Sequence, residues 1–234
     1  MAKAILYIIF SGIVSGIFGQ AIQQDSIFEP RLRGEIFHIK TGMLGKQFYN
    51  DDWVSGSIKL NSGEWVINKM LKYNSYLDEL IWLQDKSFRQ IKLEKHFIDE
   101  FVFTGYLGKS VHFRKILFKQ FQLSDSTETF VEVLTESPTR LYVYRSVVKE
   151  GQENEIKNGI QYTHDVLKPQ PIYLLIMADN TMFSFKKLRK RALIRVLNDK
   201  DKTLVKEIIQ KNHLMIRTEE DLKHLANLIG INKP

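Results

Sequence analysis

The chain has no cysteine among its 234 residues. That excludes a thiol nucleophile, a disulfide framework and a lipid-modified N-terminal cysteine, and leaves burial of apolar surface to hold the fold together. With only 5 prolines, no low-complexity tract and no fixed-period repeat, collagen-like, disordered and solenoid chains are excluded as well. What remains is an ordinary globular composition, 44% hydrophobic and 26% charged, in a chain long enough to bury a sizeable core. The longest apolar run, Ala4 to Gly19, is interrupted by Ser11, Gly12, Ser15 and Gly16; it falls short of the roughly 20 residues that span a bilayer.

Catalytic signatures are missing too. No Gly-x-Ser-x-Gly elbow occurs. Gly108-Lys109-Ser110 ends like a phosphate-binding loop, but the earlier glycine of that pattern falls on Phe103 and a strand follows where a helix is needed. His38, His96, His112, His164, His213 and His224 have no pair at ligand spacing, so neither a metal nor another cofactor is expected. Asp51-Asp52 and Asp78-Glu79 are sequence neighbours, which splits them between two faces of a strand or leaves them solvated in a turn. A glycosidase pair would have to join carboxylates from separate strands.

What is present begins with a leader. Met1-Ala2-Lys3 places one positive charge before the apolar run, and Gly19 offers a small residue at its end; residues 1–19 have the form of a signal peptide, with Gln20 as the expected mature N-terminus. The formal charge is +7, and removal of Lys3 with the leader lowers it by one. Residues 20–52 read as an irregular segment with one short strand, Glu35 to Lys40.

Residues 53–183 read as an antiparallel β body. Val54, Gly56, Ile58 and Leu60 lie two apart and share one face of a strand, with Ser55, Ser57 and Lys59 on the other. Asn61-Ser62-Gly63 is turn chemistry, and Trp65 to Ile67 resume the pattern as a hairpin. Turn residues recur about every ten positions through Phe103, giving a β-meander. The aromatic residues along it would suit sugar stacking if exposed, but rings are what pleated, half-buried surfaces favour, so a core role is expected. Val111 to Gln122 changes parity midway, which predicts a bulge near Lys115. Phe130 to Leu134 and Leu141 to Val148 form another pair around Ser137-Pro138. Glu150 to Asn158 is the most polar stretch and reads as a loop, after which Ile160 to Leu167 and Ile172 to Ala178 continue the sheet.

From residue 184 the period changes to three and four. Phe185, Leu188, Ala192, Leu193, Val196 and Leu197 make one helical stripe, Leu204, Val205, Ile208 and Ile209 a second, and Leu222, Leu225, Ala226 and Ile229 a third. Thr218 before Glu219, Glu220 and Asp221 is a helix cap, and Gly230 reads as the stop. Three short amphipathic helices must bury their stripes against one another or against the sheet. The predicted class is therefore α+β, mostly β: an antiparallel meander forming a curved or sandwich-like body, with a C-terminal helical tail packed on it.

One charge cluster stands out: Lys186, Lys187, Arg189, Lys190, Arg191 and Arg195. Cations at a helix start oppose its dipole, so either the helix begins earlier or an anionic partner relieves the cost. The competing reading is a solvated face opposite the apolar stripe. For an exported protein the anionic surface at hand is the lipid headgroup layer, where each cation gains about 1 kcal/mol. Nucleic acid is not an expected partner.

The leader ending before Gln20, FYNDDWVSGSIKL, LKYNSYLDELIWL, and a tail of the form FKKLRKRALIRVL, LVKEIIQKNHL and TEEDLKHLANLI together resemble a group of uncharacterised exported proteins of Bacteroidota. The resemblance implies a β-rich body with a helical tail, residence in a Gram-negative envelope, and no assigned reaction. The expected function is non-enzymatic: an accessory subunit of a periplasmic or outer-membrane assembly, acting by binding another envelope protein. The alternatives are a lipid- or glycan-binding carrier and, third, an exported hydrolase with dispersed carboxylates.

Overall fold

The computed structural model describes residues 31–106, 108–117, 128–136 and 138–232. The predicted leader, the segment after it to residue 30 and the end of the predicted Val111–Gln122 strand lie outside them. The protein is mostly β, with antiparallel strands in one large open sheet and three helices at the end of the chain. In chain order the strands are β1 (Gly34–Ile36), β2 (Met43–Gly45), β3 (Val54–Leu60), β4 (Trp65–Asn74), β5 (Glu79–Leu83), β6 (Gln90–Leu93), β7 (Ile98–Tyr106) and β8 (Lys109–Leu117). They continue as β9 (Glu128–Thr135), β10 (Arg140–Tyr144), β11 (Val147–Lys157), β12 (Ile160–Pro169), β13 (Ile172–Ile176) and β14 (Met182–Phe185). The helices are α1 (Lys190–Val196), α2 (Asp199–Lys211) and α3 (Glu219–Asn232).

Eleven strands form the large sheet in the order β1-β6-β5-β4-β3-β7-β8-β9-β10-β13-β14, every pair antiparallel. The hairpin at Asn61–Gly63 forms as read, with the Gly63 N–H donating to the Leu60 carbonyl at 2.8 Å. Between Gly56 and Ile58 the register on β4 slips from Lys69 to Val66, and Asn68 sits there at φ 55°. This bulge brings Val66, Leu71 and Tyr73 all into the core, although one of them has the opposite parity.

One face of the sheet is packed with aromatic rings. Tyr73, Phe101, Phe103, Phe113 and Phe130 are each 0% exposed, with Phe101 and Phe113 stacked at 4.7 Å. These rings are core, as strand preference predicts. Past Phe130 the same face of the sheet is covered by the helices: Leu141, Val143, Leu175, Phe183 and Phe185 pack with Leu193, Val205, Ile208, Leu225 and Ile229. The opposite face of this half buries Val131, Tyr142, Ile172, Leu174 and Ile176.

Several local expectations change. The β8–β9 register runs without a shift from Phe113 to Leu117, so no bulge forms at Lys115; Phe113 and Ile116 face different apolar clusters, one on each side of the sheet. Met43–Gly45, in the segment read as irregular, supplies β2, and the expected strand at Glu35–Lys40 shortens to β1. Glu150 to Asn158 is not a loop but most of β11, and β12 leaves the main sheet to join it. With β2 running parallel to Asp165–Leu167, they form a second, three-stranded sheet in the order β11-β12-β2. Phe185 belongs to β14, so the first helix starts only at Lys190.

Gly230 does not stop α3, which runs on to Asn232. A Cβ at residue 230 would lie 2.2 Å from Cγ of Pro138, so glycine serves the close approach of α3 to the β9–β10 turn. The Thr218 cap forms reciprocally: the Asp221 N–H donates to Oγ1 of Thr218 at 3.1 Å, and Oδ2 of Asp221 accepts the Thr218 N–H at 2.8 Å.

Candidate functional site

Asp78 is not solvated, as a turn acid would be. The turn carrying it folds against β9, and its Oδ1 accepts the Tyr73 hydroxyl at 2.6 Å and the Phe130 N–H at 3.3 Å. Lys95 donates to Oδ2 at 2.8 Å. Burial, the largest influence, holds the Asp78 carboxyl above its ordinary range despite these three donors. It lines an open cleft of about 520 Å³ together with Glu35, Glu79, Glu94, Glu128, Lys92 and Lys95. Most of the charges there have partners: Lys92 pairs with Glu35 and Glu79, Lys95 with Asp78, and Glu128 with Lys115 outside the lining. Among the described residues no group of three or more His, Asp or Glu side chains is arranged to hold a metal.

A second buried network sits where α3 meets the sheet. The Arg145 Nε donates to Glu132 at 2.6 Å, and its two terminal nitrogens donate to both oxygens of Glu219 at 2.5 and 2.8 Å. Tyr49 donates to Glu132 and Tyr173 to Glu219, each at 3.1 Å. Burial alone would push the Glu219 carboxyl up, but the Arg145 fork and the Tyr173 hydroxyl outweigh it and hold it below its ordinary range. Through Oε2 of Glu132 and both oxygens of Glu219, this network clamps α3 and the Tyr49 segment onto β9 and β10.

Two surfaces remain uncommitted. The first is the ribbon of β11 and β12, closed by Asn158 and Gly159 at φ 52° and 78°, the two-residue turn that fits strand twist. β11 is an edge strand, and its residues from Lys149 to Lys157 are exposed. At the tip Ile156, Ile160 and Tyr162 are 75%, 57% and 44% exposed. Ile160, Tyr162 and His164 share one face and Ile156 lies on the other. The shoulders carry Lys149, Glu150, Glu153, Glu155 and Lys157, with a register shift between Lys149 and Gly151. Such charges and bulges are what keep an open edge from pairing indiscriminately.

The second surface is the helical cap. Of 34 basic and 27 acidic residues, 13 and 6 lie from Ser184 onward; the other 21 of each sign cancel, so the whole excess of +7 belongs to the last 51 residues. Lys186, Lys187, Arg189, Lys190, Arg191 and Arg195 are all exposed. Among the described residues, Lys186 donates to the Gln170 side chain at 3.3 Å and no carboxylate pairs with any of the six. Five of the cap's six acids already have partners within the protein. Glu219 holds Arg145, Glu220 pairs with Lys223 and Asp199 with Lys202, Asp201 is 1% exposed beside Asn198, and Asp221 caps α3.

The six cations do not form one patch. Lys186 and Lys187 precede α1, Arg189 is its N-cap without a side-chain cap bond, and Arg191 and Arg195 share a face four residues apart. Arg189 and Lys190 instead line a groove of about 480 Å³ with Leu188, Leu214, Met215, Ile216 and Arg217. Arg217 and the exposed Met215 went unread in the sequence because they follow a turn, at His213 with φ 50°, and carry no helical period. Comparison with protein-family models, with curated proteins and with solved structures finds no match. The likeness to exported Bacteroidota proteins therefore rests on the quoted segments alone.

Proposed function

We propose that the chain is a non-catalytic module of a bacterial cell envelope, exported to the periplasm or the outer membrane, that binds another envelope protein as an accessory subunit. The single observation that carries this reading is the open edge of β11. It offers a free row of backbone donors and acceptors to an extended segment of a partner, and its tip adds exposed apolar side chains on both faces. The charges along it, three acids between Lys149 and Lys157, favour a strand of complementary pattern over any other. The leader and the resemblance to exported Bacteroidota proteins support the envelope location.

Tagged chain isolated from native envelopes should bring down one protein in fixed ratio, and Ile156→Asp combined with Tyr162→Asp should release it while the fold persists. Recovery of free monomer alone from wild-type envelopes contradicts the reading.

A second reading rests on Asp78, a buried acid in a cleft also lined by Glu79, Glu94 and Glu128. An exported glycosidase built there would use Asp78 as proton donor. Purified chain would then cleave a glycoside and lose the activity on Asp78→Asn; failure to cleave a broad panel of glycosides removes this reading.

A further inference from the structure

We propose that the groove between Leu188–Lys190 and Leu214–Arg217 seats the phosphate of an anionic phospholipid, so that the helical cap docks on an anionic bilayer surface. The inference is independent of the β11 edge. It starts from where the charge sits: the body before residue 184 is neutral, and the excess of +7 lies in the tail. Within the tail, five of the six acids are consumed by the fold, as described above. The cations at 186–191 and 195 face solvent without carboxylate partners among the described residues. Three cations, Arg189, Lys190 and Arg217, do line one groove; their mutual repulsion is what an anionic partner relieves.

The groove narrows the partner's chemistry. Its rim holds Arg189, Lys190 and Arg217, and its remaining lining is Leu188, Leu214, Met215 and Ile216. Ile216 is 2% exposed and anchors the floor, whereas Met215 is 56% exposed and stands at the opening. A bilayer interface supplies both halves of this pattern in one layer, phosphate for the cations and acyl carbon for the methionine. Single-stranded nucleic acid would call for aromatic rings among the cations; from Lys186 to Pro234 the tail has no Phe, Tyr or Trp. An acidic protein surface would satisfy the cations but make no use of the exposed thioether. Asp221, the acid beside Arg217, is held low by the backbone N–H groups of Arg217 and Thr218, so it is engaged in the helix cap.

The test is co-sedimentation of the purified chain with vesicles of phosphatidylglycerol and phosphatidylcholine, compared with vesicles of phosphatidylcholine alone, in low and high salt. Binding should require phosphatidylglycerol and fall with salt. Neutralising one groove cation, as in Arg217→Gln, should weaken it roughly five-fold, and Met215→Ser should weaken it as well. Lys40→Gln, at an exposed position outside both the groove and the ribbon, removes the same charge and should leave binding unchanged.

Circular dichroism establishes that each variant is folded. Absence of a phosphatidylglycerol requirement overturns the proposal. Equal losses for Arg217→Gln and Lys40→Gln overturn it too, because net charge rather than the groove is then responsible. Binding to poly-glutamate tighter than to the vesicles, and indifferent to Met215→Ser, replaces the lipid with an acidic protein.

Discussion

Arg145 holds two carboxylates, the buried Glu132 from the sheet and the half-buried Glu219 from α3. Replacing it with methionine keeps much of the volume and leaves both acids unpaired, which costs about 3–5 kcal/mol; a urea unfolding midpoint measures the loss. Glu219 also sets a pH dependence. Its folded pKa is below its unfolded one, so its stabilisation is complete above the ordinary glutamate value of about 4.3 and is lost as pH falls through the lower, folded value. Glu219→Gln should lower stability at neutral pH and make the remaining loss on acidification shallower; an unchanged acid limb contradicts this. At this scale the sequence was readable where charge stood in a row, as at Lys186 to Arg191, and unreadable where burial decided the outcome. Asp78 looked like a solvated turn acid because nothing local says that its turn closes on the Phe130 N–H.

At the scale of elements, α3 sets a local preference against a tertiary contact. Gly230→Ala should gain about 1 kcal/mol of helix propensity in isolation, yet the added methyl meets the Pro138 ring. Overpacking of that kind costs about 1–3 kcal/mol, so the variant should unfold at lower urea than wild type; a gain in stability would show that the turn yields freely. Asn68 poses the converse case on β4. Its left-handed backbone admits glycine easily, whereas a β-branched side chain there costs about 1–2 kcal/mol. Asn68→Val should therefore destabilise while Asn68→Gly stays near wild type, as thermal melts would record. The meander was legible because Val54 to Leu60 alternate cleanly. β11 was not, because Glu, Gln, Asn and Gly are poor strand formers and it is paired only through its hairpin with β12. The signal that could have found it is Asn158-Gly159, the strongest short hairpin cue, followed by the regular strand from Ile160.

For the molecule as a whole, a packed sheet core carries two outward features, a two-stranded ribbon with an open edge and a cap that holds the chain's excess charge. The α+β class followed from the change of hydrophobic period near residue 184. The division into two sheets did not, since the parallel pairing of β2 with β12 joins segments more than a hundred residues apart. Charge segregation was present in the sequence but acquires meaning only once five of the cap's six acids are seen to have partners within the protein. The account turns on the ribbon as the contact surface, and the most direct measurement is site-specific photo-crosslinking in native envelopes. A photoreactive residue at Ile156 should give one discrete heavier adduct, and the same group at the equally exposed Phe88 should give none. No adduct at Ile156, or the same ladder of adducts from both positions, would contradict it.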